Sequence, residues 1–338
     1  MSLLLEIKDL KTAFDTAQGR INAVDGVSLK VNAGETMGIV GESGCGKTML
    51  ALSLMRLVPA NGKVVNGEIF FSGKDLLKLS EEEMRAMRGS EISMVFQEPM
   101  TSLNPVFRVG EQIAEAIRLH QHLPAKQAME LSVEYLREVG IPDPQKRAMD
   151  YPHNFSGGMR QRVMIAMAMS CHPRLMLADE PTTALDVTIQ AQILDLISGL
   201  KEKNNMAVVL ITHDLGVIAQ AAEKVAVMYA GKIVESSSVE KIFENPLHPY
   251  TQGLLESVPA RCLKYLERGE YLKTIPGSVP GLYDFVQGCR FHDRCSYAME
   301  DCARREPKLS EIEPGHFVSC WKTENGAFGK RALQTRCG

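Results

Sequence analysis

The sequence predicts an α/β protein built around a phosphate-binding loop, and three observations predict it. The apolar run Thr36 to Val40 leads into Gly41-Glu42-Ser43-Gly44-Cys45-Gly46-Lys47-Thr48 and then into a helix-like stretch, Met49 to Leu57. A second apolar run, Leu175-Met176-Leu177-Ala178, ends on two acids, Asp179 and Glu180. Two further short apolar runs, Ile92 to Phe96 and Val208 to Ile211, are followed by Gln97 and His213. The Leu175 run, short and without polar alternation, reads as a buried parallel strand, and the other three runs as strand candidates.

The first element fits the P-loop pattern G-x-x-x-x-G-K-[ST] in the strand–loop–helix context that the motif needs. Glycines let successive N–H groups turn inward around phosphate oxygens, and the following helix offers its positive end to the same anion. Lys47 is expected to reach the β- and γ-phosphates as a point charge, and Thr48 to offer its hydroxyl to Mg²⁺. Cys45 contributes chiefly backbone.

Asp179 and Glu180 come next in importance. A carboxylate at the carboxyl end of a buried parallel strand stands where ligand residues gather in open α/β sheets, so Asp179 is expected to hold Mg²⁺, directly or through water. Glu180 is then placed to orient and deprotonate an attacking water. Between the two phosphate elements, Ser156-Gly157-Gly158 opens a helix-like segment, Met159 to Met169, and reads as a second anion site or as an ordinary N-cap. Gln97 and His213, both at strand ends, are candidates for sensing Mg²⁺ or water and for hydrogen-bonding the γ-phosphate.

With those residues in hand, the chain resembles the ATPase subunits of ATP-binding cassette (ABC) transporters. Phe155-Ser156-Gly157-Gly158-Met159 is similar to the family's signature motif, Gln97 in Val95-Phe96-Gln97-Glu98-Pro99 to its Q-loop, Ala184-Leu185-Asp186 to its D-loop, and His213 to its switch histidine. Phe155 and Met159 depart from the Leu and Gln most often found there; the Ser-Gly-Gly core is intact. The resemblance implies a RecA-like P-loop NTPase core with a helical subdomain, and a head-to-tail pair of cassettes in which Ser156, Gly157 and Gly158 of one close on the ATP of the other, beside Asp186. It also implies an aromatic stacked on adenine, for which Phe14 is the candidate, although Phe14 reads equally well as a core residue.

Domain organisation follows the motif order. Residues 1–235 read as the cassette, with the helical subdomain at approximately 98–165, where Val109 to His122 and Gln127 to Gly140 carry apolar residues at helical spacing. Ile189, Ile193, Leu196, Ile197 and Leu200 mark an amphipathic helix before the Val208 strand. Met159, Met164, Met167 and Met169 read as core packing.

Residues 236–338 form a C-terminal extension. Its segment Asn245-Pro246-Leu247-His248-Pro249-Tyr250-Thr251 resembles one found in ATPases that power dipeptide and oligopeptide import, with His248 read as a packing or capping residue. The extension holds Cys262, Cys289, Cys295, Cys302, Cys320 and Cys337. Disulfides are not expected in a reducing compartment. Cys289, Cys295, Cys302 and Cys320 lack the close pairs usual for zinc, and their spacing suits an iron–sulfur cluster, zinc or scattered thiols alike. The resemblance implies a [4Fe-4S] cluster.

Composition sets the remaining bounds. The 338 residues are 45% hydrophobic and 23% charged with a net charge of −3, which disfavours nucleic acid as a partner. No apolar run approaches the ~18–20 residues of a membrane span. The expected setting is therefore the cytoplasm, and the resemblance implies the cytoplasmic face of the inner membrane. There the resemblance implies docking on two transmembrane permease subunits, a second ATPase chain of the same or homologous sequence, and an extracytoplasmic substrate-binding protein acting indirectly. The activity implied is ATP hydrolysis driving import of di- or oligopeptides, with nickel, glutathione or another small solute as the alternative cargo.

Overall fold

The computed structural model describes residues 2–258, 274–281 and 287–324. In chain order the elements are β1 (Leu3–Thr16), β2 (Gly19–Asn32), β3 (Thr36–Val40), α1 (Lys47–Leu54), β4 (Gly62–Phe71), β5 (Lys74–Asp75), α2 (Glu81–Met87), β6 (Ile92–Val95) and α3 (Pro99–Ser102). There follow α4 (Val109–Gln121), α5 (Ala125–Glu138), α6 (Pro144–Arg147), α7 (Gly157–Met169), β7 (Leu175–Asp179), α8 (Val187–Asn204), β8 (Ala207–Thr212) and α9 (Leu215–Ala221). The last are β9 (Lys224–Tyr229), β10 (Lys232–Ser238), α10 (Val239–Glu244), α11 (Pro249–Glu256), β11 (Ser310–Glu313) and β12 (His316–Val318), with helical turns at Glu300–Arg304 and Trp321–Glu324.

The chain divides into two compact units. One takes the start of the chain to Leu5, Val31–Thr36 and Phe70–Ile211; the other takes Glu6–Lys30, Met37–Ile69 and the described residues from Thr212 onward. In the first unit β6, β7 and β8 pair in parallel, with Ile92 opposite Leu175 and Asp179 opposite Ile211. Every residue of β7 and β8 is buried, which is why their sequences show no polar alternation. The helices of this unit follow the expected periodicity. On α4, Ile113, Ala114 and Ile117 are buried; on α8, Ile193, Leu194, Ile197 and Leu200 are. Met164 and Met169 of α7 are core residues, while Met159 and Met167 are half-buried.

In the second unit β3 and β9 pair in parallel, Met37 opposite Lys224 and Val40 opposite Val227. β9 and β10 form an antiparallel hairpin closed by Ala230 and Gly231, both left-handed. β10 then takes β12 as its other neighbour, Glu235 opposite Val318, and β12 takes β11. The C-terminal residues therefore extend the β10 side of this sheet, and residue 235 lies inside a strand rather than in a linker. β2, β1 and β4 lie side by side in that order.

Among the described residues no helix is long and apolar enough to cross a membrane.

Candidate nucleotide site and C-terminal region

The P-loop leaves β3 and enters α1 at Lys47. Its glycines are required for different reasons. A Cβ on Gly41 would stand 2.1 Å from the Met228 carbonyl oxygen and 2.8 Å from Cys45 Sγ, whereas Gly44 has open space around it but a φ of +78°. Gly46 combines both, with φ +102° and a Cβ position 2.3 Å from the Ala23 carbonyl oxygen. Gly41→Ala is thus expected to destabilise the protein by roughly 3 kcal/mol through overpacking, and Gly44→Ala by only about 1 kcal/mol through backbone strain. Urea midpoints of the two variants check this order; a Gly44→Ala cost equal to that of Gly41→Ala would contradict it.

Lys47 is buried, and its Nζ donates to the carbonyl oxygens of Gly41 at 2.8 Å and Glu42 at 3.1 Å. The ammonium is thereby held over the loop. Thr48 lies half-buried in the first turn of α1, and Ser43 and Gly44 are exposed at the tip. The Cys45 thiol is buried, and burial pushes its pKa up despite the Lys47 charge beside it. A thiol so placed stays protonated and poorly reactive.

Asp179 ends β7 and is 1% exposed. Glu180 follows with φ 46°, a left-handed conformation uncommon for a residue with a side chain, and its N–H donates to the Ile211 carbonyl oxygen at 2.8 Å. Glu180 Oε2 accepts from Gln97 Nε2 at 3.2 Å and from Thr183 Oγ1 at 2.7 Å. The structure thus brings two of the three predicted catalytic residues, Gln97 and Glu180, into contact. It adds Thr183, which sequence reasoning missed. His213 lies exposed just beyond β8.

Ser156 caps α7 by accepting from the Met159 N–H at 3.4 Å, and Asp186 caps α8 by accepting from the Ile189 N–H at 3.0 Å. The segments that carry the two caps approach each other closely. A Cβ on Gly158 would stand 2.8 Å from Ile189 Cγ2, and one on Gly157 3.7 Å from Leu185 Cδ2. The small residues after Ser156 therefore let the start of α7 approach the segment around Asp186, while Ser156 and Gly157 remain exposed. Phe14 is half-buried with its ring against Gly62, where a Cβ would stand 2.6 Å from Cε1.

Cys289, Cys295, Cys302 and Cys320 line one cavity, together with His248, Phe291, His292 and Tyr297. Burial pushes the Cys289 thiol up to about 12 and raises Cys295 and Cys320 as well. The expectation of a formed metal site is corrected in one respect. Among the described residues no group of three or more His, Cys, Asp or Glu side chains stands close enough to hold a metal ion. Cys262 and Cys337 lie outside the described residues.

Comparison with known proteins matches residues 24–183 to the ABC transporter model and residues 234–302 to the oligopeptide/dipeptide transporter C-terminal region. A probable peptide ABC transporter ATP-binding protein of Sinorhizobium fredii is 52% identical over 95% of this chain and 95% of its own length. The chain belongs to the ATP-binding subunits of ABC transporters, in their oligopeptide/dipeptide branch. The oligopeptide transport ATP-binding protein OppD of Escherichia coli is 49% identical over 94% of this chain and 93% of its own. Among solved structures, the dimeric post-hydrolysis state of the ATP-binding cassette MJ0796 bound to ADP and Pi matches with a TM-score of 0.64 at 26% identity, covering 70% of this chain and 99% of that one.

The C-terminal region of this cassette is anchored on a buried carboxylate. Glu235 on β10 is fully buried, and its two oxygens accept from the N–H groups of Leu247 at 2.7 Å and His248 at 2.9 Å. His316 Nε2 lies 2.7 Å from Glu235 Oε1. His248 has the predicted capping role: its Nδ1 accepts from the Tyr250 N–H at 3.1 Å, opening α11.

Burial pushes the His248 imidazole down to about 4 from 6.5, with the Glu235 carboxylate pulling weakly the other way. Its folded value lies below its unfolded value, so unfolding takes up a proton between the two. Stability is full above the unfolded value and falls as pH drops toward the folded one. The expected loss is about 2 kcal/mol by about pH 5. Thermal melts of wild type against His248→Asn, which keeps a side-chain acceptor for the cap, read it. An identical acid slope in both proteins would assign the loss to other groups.

Proposed function

We propose that this protein is the ATP-hydrolysing subunit of an importer for di- or oligopeptides. The observation that carries the reading is near-50% identity, through the cassette and the C-terminal region alike, to proteins described as peptide or oligopeptide transport ATP-binding proteins. The Gln97–Glu180 contact supports the catalytic part.

In this reading the N–H groups of residues 43–48 and the Lys47 ammonium bind the β- and γ-phosphates. Thr48 Oγ1, the Asp179 carboxylate and the Gln97 amide are hard oxygen donors, the set that suits Mg²⁺, which supplies charge neutralisation on the phosphates. Glu180, oriented by Gln97 Nε2 and Thr183 Oγ1, accepts the proton of the attacking water. His213 hydrogen-bonds the γ-phosphate. Ser156, Gly157 and Gly158 serve a second cassette, identical or homologous, with Asp186 beside that junction; closure on ATP drives two permease subunits, and hydrolysis resets them. A binding protein outside the membrane delivers the peptide, and the cassette works at the cytoplasmic face.

The four thiols of the C-terminal cavity are soft donors of the number that a [4Fe-4S] cluster takes, but no three of them stand within ligand contact here, so holding one would require them to draw together. Held by Cys289, Cys295, Cys302 and Cys320, it would supply a cross-link between the segments that carry them. Iron and sulfide assay with the visible spectrum of anaerobically purified protein tests this; a colourless, iron-free protein overturns it.

Uptake of a labelled dipeptide and a labelled pentapeptide, in cells lacking other peptide importers, tests the function. Wild type is expected to restore uptake and Glu180→Gln to abolish it. Unchanged uptake of both peptides would overturn the peptide assignment and direct the search to nickel, glutathione or another small solute.

A further inference from the structure

The proposed chemistry makes no use of the residues that reach back from the C-terminal region to the P-loop. Arg294 is 8% exposed, and its guanidinium forms a two-pronged ion pair with the second residue of the loop. Nη1 donates to Glu42 Oε2 at 2.7 Å and Nη2 to Glu42 Oε1 at 3.0 Å, while Nε donates to the Pro276 carbonyl oxygen at 2.8 Å. Tyr250 on α11, fully buried, accepts from the Glu42 N–H at 2.9 Å. Glu42 also accepts from Lys47 through its carbonyl. The side chain, N–H and carbonyl of one loop residue are therefore all held, two of them by groups far away in sequence.

The same turn holds the loop a second time. Arg290 pairs with the Asp25 carboxylate and donates to the Ala230 carbonyl oxygen. The next residue, Gly231, donates to the Cys45 carbonyl oxygen at 2.8 Å and accepts from the Asp25 N–H at 2.9 Å. Between the arginines, Phe291 is buried edge-on to Tyr229 with ring centroids 5.2 Å apart, and its carbonyl accepts from the Arg294 N–H at 3.1 Å. The turn is thus a rigid support rather than a loose arm.

We propose that Arg294 is a positioning residue for nucleotide binding: through Glu42 it holds the first turn of the P-loop in the conformation that presents its N–H groups to phosphate. A loop with exposed Ser43 and Gly44 at its tip has many conformations to lose on binding, and fixing one flank in advance lowers that entropic cost. The bidentate fork fixes direction as well as distance, which a lysine cannot do. This rests on the reading of residues 41–48 as the phosphate loop.

The test is a fluorescent-ATP titration with steady-state ATPase kinetics on the full chain, for wild type, Arg294→Ala, Arg294→Lys, Glu42→Ala and the Arg294→Ala/Glu42→Ala double variant. Arg294→Ala is expected to raise Kd and KM for ATP ~10-fold with kcat within about twofold, and Arg294→Lys to raise them ~3-fold. The double variant is expected to bind no more weakly than Glu42→Ala, because Arg294 acts through that carboxylate. A merely structural role would lower the binding-competent fraction and kcat while leaving Kd unchanged. Arg294→Lys keeps the charge and the buried stem, so it gives the reading if Arg294→Ala does not fold. Affinity unchanged in the folded variants, or losses that add in the double variant, would overturn the proposal. Failure of wild type to bind ATP would instead sink the phosphate-loop reading.

Discussion

Glu180→Gln is expected to bind ATP like wild type and to hydrolyse it ~10²–10⁴ times more slowly, the span of rate that a positioned general base supplies. The substitution is close to isosteric. The Gln97 and Thr183 side chains that now donate to Glu180 Oε2 keep an amide oxygen to donate to, so the geometry at the end of β7 survives while the proton acceptor is lost. The left-handed backbone at residue 180 and its N–H bond to Ile211 do not depend on the side chain. Phosphate release measured beside a nucleotide titration separates the two effects. Equal rates in wild type and variant would remove Glu180 from the chemistry.

Lys47→Ala is expected to lose ATP affinity by ~10²-fold or more, in line with the 2–5 kcal/mol that truncating one partner of a buried charge pair costs. Lys47 is buried and positioned by two carbonyl oxygens of its own loop, so its charge meets phosphate without first ordering a flexible chain. Lys47→Arg is expected to rescue little, because the planar fork is too bulky for a position that a compact ammonium fills. Retained circular dichroism with lost nucleotide fluorescence is the expected pair of readings; ATP affinity within a few-fold of wild type in Lys47→Ala would show that backbone N–H groups alone hold the phosphates.

Much of the nucleotide site is legible in the amino-acid sequence. The β3–loop–α1 unit, the β7 strand ending in Asp179 and the cap at Ser156 each follow from interactions spanning a few residues. Such interactions leave marks in the sequence: a run of apolar residues where both faces of a strand are buried, a glycine where the backbone is left-handed or closely approached, a hydroxyl where a helix begins. Gly46 shows the local limit of that legibility. Its left-handed backbone starts α1 at Lys47, ahead of the stretch that apolar spacing marks from Met49.

The left-handed Glu180 and the hydroxyl of Thr183 beside it cannot be read in this way, since neither residue type marks such a conformation. The C-terminal region is harder still. Four cysteines at wide intervals give no pattern that chooses among cluster, zinc and free thiols, and the structure gathers them on one cavity without bringing three into ligand contact.

By itself the sequence determined the strand–loop–helix unit around Gly41 to Thr48, the buried strand that ends in Asp179, the order of the motifs and the family to which they point. Only the tertiary structure decided that Glu235 is the buried acceptor for Leu247, His248 and His316, and that Glu42 is held by Arg294 at a separation of 252 residues. The physical reason is range. Hydrogen bonds and burial within a helix or strand impose a period on neighbouring residues, whereas a contact closed by folding the chain back on itself imposes none, so its partners stay unmarked until the backbone brings them together.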